Sequence, residues 1–91
     1  MIQRLVRVEN ELGLHARAAA SLVKLTARFA SDIKLSKCSS NQRVDGKSIL
    51  GILLLAAAKG TELEVSVDGI DEEVAMNGII NLFKDRFGEA K

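Results

Sequence analysis

Apolar and polar positions alternate between two periods along this chain. In "IQRLVRV", Ile2, Val6 and Val8 share one parity and Arg7 takes the other, which predicts a half-buried strand. Leu5 breaks the alternation, and Arg4 stands on the apolar parity. "ENELG" follows as a loop. From Ala16 the period lengthens. Ala18, Leu22, Leu25 and Phe29 recur at helical spacing, with Lys24 and Arg28 off that face, so a helix is expected to run to about Ala30. "DIKLSKC" alternates again through Ile33 and Leu35. "SSN" has turn chemistry, and "QRVDG" suits a short returning strand. "KSILGILLLAAAKG" has helical composition, with Gly60 as its expected C-terminal cap. "ELEVSV" sets Leu63, Val65 and Val67 against Glu62, Glu64 and Ser66. "DGIDEEVAMNGIINLFKDRF" predicts a closing helix. Asp71, Glu72 and Glu73 sit at its positive end, and Met76, Ile80, Phe83 and Phe87 form its buried stripe.

The resulting order is β-α-β-β-α-β-α. Alternating strands leave one polar sheet face, as antiparallel sheets commonly do, and the helices would cover the other. The expected class is α+β: an open-faced sandwich of a four-stranded antiparallel sheet and three helices. Its 91 residues suit one domain, residues 1–91. Aromatics are 3% of residues against 47% hydrophobic, so the core must be aliphatic.

Composition narrows function mainly by exclusion. Thirteen basic and 12 acidic residues give a net charge of +1, without the clustered positive face of a nucleic-acid binder. No apolar run approaches the roughly 20 residues that span a bilayer. "MIQRLVRV" has no signal-peptide core. The single cysteine, Cys38, cannot form an intrachain disulfide. A cytoplasmic, monomeric protein without membrane insertion is expected. One histidine and one cysteine do not supply the four protein ligands of structural zinc, so neither a metal site nor a cofactor is expected. A Ser-His-Asp hydrolase would find little room for a cleft, and no nucleophile-elbow motif is present.

The candidate chemistry lies in "GLHARAAASLVKL". His15 falls at the cap of the first helix, where Ser, Thr, Asp or Asn would be preferred. The helix dipole disfavours an imidazolium there, and an ordinary imidazole is mostly neutral at pH 7. The neutral ring is a nucleophile. The backbone amides of Ala16 and Ala18 would face an anion at the helix start. Arg17 adds a planar cation suited to phosphate oxygens. Such a set suits a histidine that accepts and returns a phosphoryl group. A surface histidine with an arginine nearby by chance fits the same residues.

"LGLHARAAASLVKL" resembles the active-site segment of the HPr phosphocarriers of the bacterial phosphotransferase system. "GKSILGILLLAAAKGTELEV" resembles their second signature. Together the resemblance covers essentially the whole chain. It implies an open-faced sandwich that carries a phosphoryl group on His15, at Nδ1, with Arg17 supporting it. The donor would be enzyme I, charged from phosphoenolpyruvate, and the acceptors sugar-specific enzyme IIA domains. Ser48 would be the regulatory serine that an HPr kinase/phosphorylase modifies in some branches. Where the family usually has proline after the arginine, this chain has Ala18. Alanine keeps helix propensity and adds a free amide in the first turn.

Ser48 is equally a good helix cap. The segment after it is unusually apolar, and its six large residues cannot all face one core. The resemblance implies a docking surface of Ile49, Leu50 and Leu53 beside Ala20, Ser21 and Lys24. Two alternatives remain at this point: an NPr-like regulatory phosphocarrier, which "IINLFKDRFGE" resembles, and a ferredoxin-like small-molecule sensor, which would need neither His15 nor Arg17.

Overall fold

The computed structural model describes residues 1–91. Its elements are β1 (Ile2–Arg7), α1 (Ala16–Thr26), β2 (Asp32–Lys37), β3 (Arg43–Asp45), α2 (Ile49–Leu54), β4 (Glu62–Asp68) and α3 (Glu72–Lys84), closed by a 3₁₀ turn at Arg86–Gly88. All strand pairs are antiparallel, in the order β1-β4-β2-β3. The last strand therefore lies inside the sheet, paired to β1 through Val6↔Leu63 and to β2 through Leu35↔Val65. That interior place explains why its alternation is so regular: Leu63, Val65 and Val67 are fully buried. The architecture is the expected open-faced α+β sandwich.

One sheet face is covered by helices and the other is open. Nineteen buried apolar residues form the core, among them Leu22 from α1, Ile52 from α2 and Ile79 and Phe83 from α3. Burying each large aliphatic or aromatic side chain contributes about 1.5–3 kcal/mol. The exposed pairs Arg7–Glu62 and Lys34–Asp32 are screened by solvent and add little, so the core sets stability. On the open face, Leu5, which broke the alternation, is 63% exposed opposite Glu64. Arg4, on the core parity, escapes the core because β1 is an edge strand and the side chain borders Met76 and Ile80 of α3.

Tertiary contacts override local propensity at all three helix ends. The first helix stops at Thr26 rather than near Ala30. Its buried residues are Ala18, Ala19, Leu22 and Thr26, with Leu25 and Phe29 only partly covered. The Thr26 hydroxyl donates to the Gly46 carbonyl at 2.8 Å, which lets a polar residue hold a core position. The second helix is one and a half turns rather than three. It closes at Ala56, whose φ is +50°, and the expected cap Gly60 instead shapes the entry to β4, its N–H donating to Val8. The alanine run leaves the helix because Ala57 must offer its carbonyl to Leu14 N–H at 2.9 Å.

The third helix ends at Lys84, short of Phe87. Arg86 and Phe87 both take left-handed backbone. They turn the chain so that the Phe87 ring meets Phe83 edge-on, with centroids 4.9 Å apart. Ala75 and Ile79 carry the buried stripe with Met76 and Phe83, and Ile80 lies at its margin.

Asp71 does more than favour the helix dipole. Its carboxylate accepts from the N–H groups of Ala30 at 2.8 Å and Ser31 at 2.9 Å and from the Ser31 hydroxyl at 2.5 Å. It thereby ties the start of α3 to the α1–β2 connection. The Ser31 hydroxyl and then the Ala30 amide hold its carboxyl below the ordinary 3.8. A carboxyl depressed in the folded state stabilises the fold above its unfolded pKa, and the contribution is lost as pH falls through the folded value. Asp71→Asn is expected to lower the unfolding midpoint at about pH 7, with the gap to wild type closing below about pH 4. Thermal unfolding of both proteins across that range checks it.

Candidate functional site

The loop before α1 is built backbone-first. Gly13 has φ +71°, a conformation that costs L side chains strain. A Cβ there would lie 2.6 Å from the Ala57 carbonyl oxygen. That close approach lets Leu14 N–H reach the same carbonyl and drops the Leu14 side chain into the core. His15 follows in extended backbone as the N-cap of α1. It sits in a shallow hollow with Leu12, Leu14 and the loop Ala56–Ala58.

Histidine is a poor statistical cap, yet this one caps. Its Nδ1 accepts from Arg17 N–H at 3.2 Å, and its carbonyl accepts from Ala19 N–H at 2.8 Å. The amides of Ala16 and Ala18 have no partner in the chain, the ordinary condition of first-turn donors. Ala18 turns its methyl into the core and is fully buried. The Arg17 guanidinium is exposed and joins no salt bridge. The site therefore gathers a ring nitrogen, unengaged amides and an unpaired cation on one helix end.

The other ring nitrogen has a partner that the sequence did not suggest. Nε2 hydrogen-bonds the Glu89 carboxylate. The other oxygen of Glu89 accepts from the Asn10 amide at 3.0 Å. Asn10 is fully buried and also donates to the Gly13 carbonyl at 2.7 Å. The Asn10 amide, then the imidazole and the Arg17 charge, hold the Glu89 carboxyl below the usual carboxylate range. With Nδ1 facing an N–H and Nε2 facing a carboxylate, the hydrogen bonds assign the neutral ring the Nε2–H tautomer.

The family model described as "PTS HPr component phosphorylation site" matches residues 2–85. This chain belongs to the HPr family. A phosphocarrier protein HPr from Cupriavidus necator is 43% identical over 91 residues, covering 100% of both chains. One from Xylella fastidiosa is 45% identical over 89 residues, 98% of each. The crystal structure of HPr-C-His from Thermoanaerobacter tengcongensis has a TM-score of 0.94 at 36% identity, covering 100% of both chains. The chain is thus an HPr phosphocarrier of the phosphotransferase system, a carrier protein rather than an enzyme. No helix is long and apolar enough to cross a membrane.

Within this HPr fold the other expected residues fall as follows. Ser48 is the N-cap of α2 and accepts from Gly51 N–H at 3.0 Å. Ile49, Leu50 and Leu53 are exposed at 43%, 68% and 36%. Ala20 and Lys24 are exposed on α1 and Ser21 is half-buried. Leu12 and Leu54 are equally exposed apolar residues that sequence reasoning missed. Asn10 and Glu89 were also missed. Asn10 had a signal, a polar residue leading into a Gly13 turn. Glu89 had none, since 74 residues separate it from His15.

Gly13→Ala is expected to destabilise the protein by about 1–3 kcal/mol, the cost of a left-handed non-glycine residue, with the 2.6 Å approach to Ala57 adding to it. Urea unfolding measures this directly.

Proposed function

We propose that His15 accepts a phosphoryl group from enzyme I, itself charged from phosphoenolpyruvate, and delivers it to sugar-specific enzyme IIA domains. The observation that carries this reading is the ring nitrogen Nδ1 at the start of α1, beside the amides of Ala16, Arg17 and Ala18. An arriving phosphoryl group would take over the Arg17 N–H that now meets the bare ring nitrogen. The amides of Ala16 and Ala18 and the Arg17 guanidinium are unengaged and so need break no bond to receive phosphoryl oxygens. Membership of the HPr family favours this carrier over a small-molecule sensor. An NPr-like regulatory output would use the same chemistry at His15 with a different acceptor.

Docking would use the exposed faces of α1 and α2: Ala20, Ser21 and Lys24 with Ile49, Leu50 and Leu53, extended by Leu54 and Leu12. A carrier must release each partner in turn, so the contact should be small, near or below about 1,200 Å². It acts as a monomer in the cytoplasm, without nucleic acid or cofactor. Ser48 serves as a regulatory position for an HPr kinase/phosphorylase. A phosphate there adds about −1.5 to −2 charge beside the docking face, which weakens a charge-steered encounter.

Incubation with enzyme I and phosphoenolpyruvate should add one acid-labile phosphoryl mass, and none to His15→Ala. Arg17→Ala should slow transfer about tenfold or more, the cost of losing a charge-assisted hydrogen bond of about 1.5–3 kcal/mol. An unmodified mass in the wild-type protein would falsify the reading.

Ser48→Asp keeps a capping side chain while adding charge. It should slow transfer from enzyme I, with the defect shrinking as salt is raised. A salt-independent defect in stopped-flow transfer assays would argue for distortion of α2 instead.

A further inference from the structure

We propose that Glu89 is a positioning residue for phosphoryl transfer: it fixes the His15 ring in the tautomer and orientation that leave the Nδ1 lone pair facing the helix amides. The proposal rests on the carrier reading above and deepens it. The match to the family model ends at residue 85, so Glu89 lies beyond the matched residues.

The geometry is a relay of hydrogen bonds rather than one contact. Asn10 is fully buried between β1 and α1. Its amide holds both the Gly13 carbonyl, which shapes the loop, and Glu89 Oε1, which sets the carboxylate. Glu89 Oε2 then accepts a hydrogen bond from Nε2–H of the ring. Asn10 Oδ1 has no hydrogen-bond partner in the chain, the one such buried side-chain polar atom. The use of this buried residue therefore lies in its two donated bonds. Residues 86–91 bring Glu89 to this place. Arg86 and Phe87 reverse the chain, Phe87 is buried against Phe83, and Glu11 N–H donates to the backbone oxygen of Lys91 at 3.0 Å.

Both ring contacts select the same tautomer. A proton on Nδ1 would face Arg17 N–H, donor against donor, and would leave the Nε2 lone pair facing a carboxylate. With the proton on Nε2, the transfer step needs no proton movement. The Nδ1 lone pair forms the new N–P bond as the bond from phosphorus to the donor's leaving atom breaks, and that electron pair stays with the donor. The ring becomes positive as Nδ1 gives up its pair. The Glu89 carboxylate offsets that charge through Nε2–H. Return of the phosphoryl group to an acceptor reverses each step.

The test uses the full chain. Nitrogen-15 NMR of the unphosphorylated protein at alkaline pH should show one tautomer with the proton on Nε2. Glu89→Ala should show a mixture. The kcat of enzyme I with this variant as acceptor should fall on the order of 10–100-fold, the usual cost of removing the group that orients a functional imidazole at metal sites, with the KM for the variant little changed. Glu89→Gln, whose side-chain oxygen can accept the same bond but carries no charge, should restore the single tautomer and only part of the rate. A single Nε2–H tautomer in Glu89→Ala, or an unchanged rate, overturns the proposal. So does a defect confined to KM, or a tautomer mixture that Glu89→Gln leaves unrepaired. A wild-type chain that accepts no phosphoryl group sinks the carrier reading and this proposal together. A wild-type chain that accepts it no faster than Glu89→Ala sinks the proposal alone.

Discussion

The two nitrogens of His15 are committed to different parts of the fold, and the site follows from that division. Nδ1 caps α1 through the Arg17 amide, while Nε2 meets Glu89. A ring bound on one side only could rotate about its side-chain bonds and present either nitrogen. Bound on both sides, it presents Nδ1 to the end of a helix where partial positive charge and unengaged amides converge. The cap is made by a residue type that caps poorly, over a distance of 3.2 Å. A strong cap such as aspartate would hold the amides and repel a phosphate. A weak, neutral one stabilises the helix start and can be displaced.

That arrangement depends on elements far apart in the chain. Gly13 permits the turn, and Ala57 accepts from Leu14 N–H. The alanine loop therefore abandons helical geometry at Ala56 to support the site's floor. The sheet order has the same effect at larger scale. With β4 between β1 and β2, the chain must cross from the end of α2 to the sheet interior. This crossing brings Ala56–Ala58 past His15. The loop is shaped by what it touches rather than by its composition, which on propensity alone would be helix.

The same contrast separates what was legible in the sequence from what was not. Strand positions such as Leu63, Val65 and Val67 could be read because alternation records burial directly. The placement of His15 and Arg17 at the start of α1 could be read because the helical period begins at Ala16. Helix ends could not, because Leu14 N–H, Gly46 and Phe83 decide them from other parts of the fold. Thr26 read as polar and proved buried, since its hydroxyl finds a carbonyl twenty residues away. Glu89 was invisible for a similar reason: no periodicity links an acid at the end of the chain to a ring near its start. Only the left-handed turn at Arg86 and Phe87, itself unreadable from "KDRFGE", brings the two together.

A carboxylate beside the proposed phosphoryl site would work against binding, and the ring resolves the conflict. Glu89 touches the ring at Nε2, and the phosphoryl group would arrive at Nδ1 on the other side. The carboxylate therefore meets the positive charge that the ring acquires, while phosphoryl oxygens meet the amides and Arg17. Repulsion between carboxylate and phosphate acts across the imidazole and is countered by the Arg17 cation, which already stabilises ionised Glu89. A carrier gains from this balance. Attraction without opposition would hold the phosphoryl group too firmly to pass on, whereas a residual repulsion keeps the phosphorylated state within reach of both donor and acceptor.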